Sequence, residues 1–126
     1  MKQEKLTEEV LGACFEVANE LGSGFLESVY EKALLIALRK KNISVVTQAP
    51  VTVTFRGQQV GSFFADLLVE DEVIVELKAV KALVPEHLAQ VINYLKATGL
   101  ETALLVNFGS RKVEYRRLHN KTDQLI

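Results

Sequence analysis

"ADLLVEDEVIVELKAV", residues 65–80, is the stretch on which the reading of the fold depends. Two apolar runs flank the acidic turn "VEDE", residues 69–72, and together they read as a β-hairpin. Opposed residue numbers in an antiparallel pair sum to a constant. Centring the turn on Asp71 sets Asp66 opposite Glu76 and Phe64 opposite Lys78. Side chains alternate along a strand. Ala65, Leu67, Val69, Val73, Val75 and Leu77 then share one wholly apolar face, which must be core. Asp66, Glu76 and Lys78 share the other face. A slip of one residue would scramble both faces.

Directly opposed residues have Cβ atoms roughly 4.5–5.5 Å apart. Two carboxylates that close repel each other unless they share a proton or hold a cation between them. Lys78 can be that cation, which makes the hairpin an ordinary half-exposed strand pair with one ion pair. The other reading is a divalent-metal site. Mg²⁺ prefers carboxylate oxygens and water in octahedral geometry, and two acids on adjacent strands leave positions open for water and a phosphate oxygen. A neighbouring lysine would orient or help deprotonate the attacking water, and a metal would lower the pKa of that water. The hairpin alone leaves both readings open.

Outward from the hairpin, the pattern is mixed. Residues 5–20 read as a helix with Val10, Cys14, Val17 and Leu21 in one stripe. The glycines of "LGSGF" end it. Residues 25–41 read as a second helix, closing on the basic run Arg39-Lys40-Lys41, a charge that suits a helix C-terminus. "SVVTQ", "VTVTF" and "QVGSFFADLLV" read as strands, with "RGQQ" as a hairpin turn between the second and third. Pro85 opens a third helix that runs to about residue 98, with Val84, Leu88, Val91 and Leu95 as its core stripe. "TALLVNF" reads as a buried strand and "KVEYRRLH" as a polar edge strand. The expected order is α-α-β-β-β-β-α-β-β, an α/β (α+β) fold with a central mixed sheet flanked by helices, in one domain spanning residues 1–126.

The bulk properties exclude several classes. The 126 residues are 48% hydrophobic and 25% charged, the mix of a folded globular chain. No apolar run spans a bilayer and the N-terminus lacks a signal-peptide core, so a cytoplasmic chain with no membrane partner is expected. A single cysteine excludes an internal disulfide and a cysteine-cluster zinc site. Cys14 lies in the first helix's apolar stripe and reads as a core thiol. The net charge of −1 gives no general attraction to nucleic acid. Any polyanion site must therefore be local, or be completed by metal ions. Lys81, Lys96, Arg111, Lys112, Arg116 and Arg117 are candidate backbone contacts, though most of them read as solvated surface charge. Gly-rich phosphate loops and serine-hydrolase elbows are absent from the sequence.

The spacing Asp66, nine residues, Glu76-Leu77-Lys78 resembles the PD-(D/E)xK nuclease signature, with Ala65 where the signature has proline. "GFLESVY", residues 24–30, resembles the G-x-x-E-x-x-Y motif of the GxxExxY group within that superfamily. "AQVINYLKATG", residues 89–99, has Gln90 and Tyr94 where RecB-like nucleases carry Q-x-x-x-Y, and "LLVNFG" is also similar to the GxxExxY group. The resemblance covers about residues 5–118. It implies a restriction-endonuclease-like core, with Glu27 as a helical acid approaching the metal. Asp66 and Glu76 would be the central ligands, with the Leu77 carbonyl as a further one. Lys78 would be the catalytic lysine, and Gln90 and Tyr94 would border the site.

Each of these residues also has a plainer explanation. Glu27 lies in a first helical turn, where a carboxylate suits the dipole. Tyr30 lies on the same helix face and reads, ahead of a catalytic group, as a core ring with its hydroxyl at the rim. His87, Gln90 and Tyr94 fall on one side of the third helix's stripe, as either a site lining or a helix flank; His87 contacts a phosphate or caps the rim. The combined expectation is a Mg²⁺- or Mn²⁺-dependent nuclease hydrolysing DNA phosphodiesters with metal-activated water. Its catalytic residues would be Lys78, Glu76, Asp66 and Gln90. Its metal ligands would be Glu27, Asp66, Glu76 and Leu77, and Tyr30, His87 and Tyr94 would line the site. The alternatives are a non-catalytic module that binds nucleic acid or a partner, and a hydrolase of small phosphates. Assembly as a homodimer or larger complex is compatible with so short a chain.

Overall fold

In the computed structural model, residues 2–120 are described. Three helices and five strands follow in the order α1 (Lys2–Leu21), α2 (Glu27–Lys40), β1 (Val45–Phe55), β2 (Gln58–Val69), β3 (Val73–Lys78), α3 (Pro85–Thr98), β4 (Thr102–Asn107) and β5 (Glu114–His119). The five strands form one mixed sheet in the order β1-β2-β3-β4-β5. All neighbours are antiparallel except β3 and β4, which run parallel and are joined through α3. A parallel pair needs such a long crossover.

The sequence predicted four strands before the third helix, and the structure has three. "SVVTQ" and "VTVTF" belong to one strand, β1. Ala49 and Pro50 between them stay paired with Ala65 and Phe64. Proline is tolerated because β1 is an edge strand and Pro50 can leave the ladder's missing donor on the open side. The tip of the hairpin is a two-residue turn, Arg56 and Gly57, both with positive φ, the geometry that matches the natural twist of a hairpin.

The β2–β3 register falls where the hairpin reading put it: Leu67 pairs Val75, Leu68 pairs Ile74 and Val69 pairs Val73. Leu67, Val69, Val73, Val75 and Leu77 are buried against α1 and α2, with Val10, Cys14, Val17, Tyr30, Leu34 and Leu38. Ala65 is buried as well, but in the second core, with Val51, Ile74, Val91 and Leu95. The simple alternation therefore does not carry through Asp66. Opposite this point, pairing is interrupted between Thr47↔Leu67 and Ala49↔Ala65, and Gln48 takes φ 51. The break lets the outer part of the arm turn its inner residues towards α3.

The sheet thus has α1 and α2 on one face and α3 on the other. β4 is buried along its whole length, as expected for a central strand covered on both faces. α3 ends on Gly99 in the left-handed conformation, with φ 76, its N–H donating to the Leu95 carbonyl. Val91 and Leu95 are buried as its stripe requires, but Val84 is exposed. Val84 lies just before the first helical turn and so does not share the helix's facing. No described helix is long and apolar enough to cross a membrane.

Candidate active site

The acidic pair lies where β2 and β3 stop sharing a regular ladder. The last paired residues are Leu67 and Val75. Beyond them, side chains take the place of the missing backbone bonds. The Asp66 N–H donates to Glu76 Oε1 at 2.7 Å, and the Leu77 N–H donates to Asp66 Oδ2 at 2.8 Å. Each carboxylate is thereby fixed by the main chain of the opposite strand. Glu76 is only 4% exposed, whereas Asp66 is half-buried.

Burial and the neighbouring Asp66 charge push the Glu76 carboxyl up to about 7, while the hydrogen bond from the Asp66 backbone, then the Lys78 charge, pull the other way. Glu27 adds a further upward push. A carboxylate whose proton is held first by burial and then by a neighbouring acid is one that a cation would relieve.

Lys78 follows on the same face of β3 and is half-buried. Its Nζ donates to Gln90 Oε1 at 3.2 Å, and Gln90 Nε2 donates to the Tyr94 hydroxyl at 3.2 Å. Gln90 and Tyr94 are one turn apart on α3, so they fall on one helix face. The Lys78–Gln90 bond ties that face of α3 to the end of β3, and an amine, an amide and a phenol are linked in series. The Tyr94 hydroxyl is shifted upward by burial and by Glu76, which ties it electrostatically to the same recess.

Other sequence candidates stand differently. Glu27 is exposed in the first turn of α2 and reaches Glu76 through its charge. His87 is half-buried at the start of α3, its Nδ1 accepting the Val84 N–H at 3.1 Å. Tyr30 is fully buried. Its hydroxyl donates to the Gly22 carbonyl at 2.6 Å and accepts the Phe25 N–H at 3.2 Å, and its ring stacks on Phe108 with centroids 4.6 Å apart. It holds the α1–α2 connection. The Leu77 side chain is buried in the core on the α1–α2 face. Cys14 is buried too, and burial pushes its thiol up to about 12, which leaves it without thiolate character.

Two residues of the site were missed in the sequence. Glu31 is half-buried, and its carboxyl is raised first by burial and then by Asp66. Gln48 Nε2 donates to Glu31 Oε1 at 2.9 Å. The signal for Glu31 was present, because it lies four residues after Glu27 on one helix face. Nothing local marks Gln48, whose position depends on its left-handed backbone.

The donor set fits a hard divalent cation. Among the described residues no three histidine, cysteine, aspartate or glutamate side chains come together as a group that could hold a metal ion, so Glu27 is not gathered with Asp66 and Glu76 as a third carboxylate ligand. Mg²⁺ does not need one, since it is commonly bound through one or two carboxylates with water and substrate phosphate completing the shell. Asp66 and Glu76 supply the two carboxylates.

The PD-(D/E)XK nuclease superfamily model matches residues 4–118. The fold is similar to the crystal structure of SSO0001, with a TM-score of 0.60 at 16% identity, covering 94% of this chain. The chain spans 60% of the length of that protein. No curated protein matches it. With the family model covering nearly the whole length, and with the acids, lysine and glutamine of the signature gathered at the end of one hairpin, the chain belongs to the PD-(D/E)XK nuclease superfamily.

Proposed function

We propose that the protein is a Mg²⁺- or Mn²⁺-dependent nuclease that hydrolyses phosphodiester bonds of DNA, and that within its superfamily it is one of the GxxExxY proteins. The observation that carries the reading is the pairing of two main-chain-braced carboxylates, Asp66 and Glu76, with an amine on the same strand, Lys78, that α3 holds through Gln90. An ion pair alone needs neither the burial of Glu76 nor the Gln90–Tyr94 support.

Asp66, Glu76 and the Leu77 carbonyl would hold the ion, with Glu27 and Glu31 adding negative potential. Bound there, a divalent ion supplies Lewis acidity and lowers the pKa of water. The chain's own residues do the rest. Backbone donors keep the two carboxylates from rotating away, so the site is preorganised. Lys78 Nζ faces the recess, where it orients the attacking water and offsets charge on the phosphate. Gln90 fixes the amine and Tyr94 fixes Gln90. In the reaction water adds to phosphorus, one P–O ester bond breaks, and the departing oxygen leaves as an alcohol after taking a proton. We place this chemistry in one cytoplasmic domain over residues 1–126, working alone, as a homodimer or in a larger complex.

The alternative is a non-catalytic module that binds nucleic acid or a partner, favoured by the net charge of −1. Calorimetric titration of Mg²⁺ and Mn²⁺ into the pure protein separates the two. Saturable binding that is lost in Asp66→Asn supports the nuclease. Absence of binding, with Asp66→Asn indistinguishable from the parent, supports the module.

A further inference from the structure

β1 and β2 are long strands, and residues 49–64 form an arm beyond the point where β2 pairs with β3. The arm exposes Phe55, Val60, Phe63 and Phe64. Of these, Phe63 lines the space between the arm and α3. Between the arm and α3 lies an open cleft of about 830 Å³, a size typical of ligand sites. Val53, Thr54 and Phe63 form one wall, and the exposed side of α3 forms the other.

Three features say what would fill it. The cleft is continuous with the candidate active site, because Gln90 and Tyr94 line it and also carry the hydrogen bonds to Lys78. It is charge-balanced, with Lys96 its one cation and Glu86 its one anion. With its charges balanced, the cleft offers little attraction to phosphate, so its occupant is recognised by apolar and polar-edge contacts instead. Its walls are mainly apolar and include an aromatic platform: Phe63 is half-exposed, with its ring centroid 6.1 Å from that of Tyr94. A nucleobase has a flat π-face and a polar edge, and stacks on aromatic rings whatever its identity. Thr54, Asn93 and Gln90 give that edge donors and acceptors.

We infer that the cleft between the β1–β2 arm and α3 receives an unpaired nucleobase next to the scissile phosphate, so that the substrate is single-stranded where it is cut. This rests on the nuclease reading for the position of the phosphate. It goes further by specifying the strand state and the residues that sense it.

The test is fluorescence anisotropy with the full chain and a labelled oligodeoxynucleotide, offered single-stranded and as its blunt duplex, in EDTA so that binding is read without cleavage. Phe63→Ala removes the platform, and Ala89→Trp fills the cleft from the exposed side of α3. The parent is expected to prefer the single strand. Each variant is expected to weaken single-strand binding by roughly 5- to 100-fold and leave duplex binding unchanged, with circular dichroism confirming the fold. Equal affinity of the parent for both forms, or parent-like single-strand binding by both folded variants, overturns the inference. Failure of the nuclease reading shows separately: the parent then does not cleave with Mg²⁺ or Mn²⁺, although the single-strand preference in EDTA persists.

Discussion

Asp66 and Glu76 brace each other's strands: the Asp66 N–H donates to the Glu76 carboxylate, and the Asp66 carboxylate accepts the N–H that follows Glu76, that of Leu77. The same groups that would bind a cation therefore also close the hairpin. Structure and function are coupled at this point, and substitutions can separate them.

Asp66→Asn retains an oxygen for the Leu77 N–H, whereas Asp66→Ala leaves that donor without its partner. Urea unfolding is expected to show Asp66→Ala destabilised by about 1–3 kcal/mol, with Asn close to the parent. Both variants lose cleavage.

The Glu76 carboxyl titrates near pH 7 in the folded chain, against an ordinary value of 4.5. Between those values the folded chain keeps a proton that the unfolded chain has released, so metal-free stability falls as pH rises through that window. The expected loss is on the order of 2–3 kcal/mol. Glu76→Gln, which cannot ionise, is expected to flatten it. Thermal melts in EDTA from pH 4.5 to pH 7.5 check this, and added Mn²⁺ is expected to restore stability at the upper end.

Lys78→Ala is expected to keep the fold, since the amine is half-buried and makes a single hydrogen bond, to Gln90. Cleavage is expected to fall by about 10²–10⁴-fold. Tyr94→Phe removes only the outer link of the chain and is expected to cost far less. Single-turnover rates on the same DNA distinguish these two effects.

Tyr30→Phe removes a hydroxyl that ties Gly22 to Phe25. It is expected to lower stability by about 1–2 kcal/mol while leaving Mn²⁺ affinity unchanged, which calorimetry can read directly.

Gly109 is fixed by crowding. A Cβ there would run into the backbone of Ala79 and Val80, the residues just after Lys78. Asn107 already ties this segment to β4, accepting the Val80 N–H at 2.9 Å and donating to the Val80 carbonyl at 2.9 Å. Gly109→Ala is expected to destabilise by about 1–3 kcal/mol and also to slow cleavage by displacing Lys78, as melts and rates measured together would show.

The sequence made the hairpin legible because its apolar and charged faces agree on only one register, and it made α3 legible because Pro85, the apolar stripe and Gly99 mark its start, face and end. Asp66, Glu76, Lys78, Gln90 and Tyr94 could be gathered from those two elements alone. What stayed hidden depends on backbone geometry without a residue signature. Gln48, in a left-handed conformation, interrupts the β1–β2 pairing at the point where Ala65 passes to the other core, and brings an amide to Glu31. Tyr30 was ambiguous for a different reason. Helical periodicity gave its face, but only the path of the 22–25 loop shows what its hydroxyl reaches.

The most direct measurement is a cleavage assay of the purified protein on single- and double-stranded DNA and RNA with Mg²⁺ and Mn²⁺, run beside an identically prepared Glu76→Ala variant. The account predicts metal-dependent cleavage of DNA by the parent, stopped by EDTA and absent from the variant. Equal cleavage by the two preparations, or no cleavage of any substrate by folded, metal-supplied parent, would contradict it.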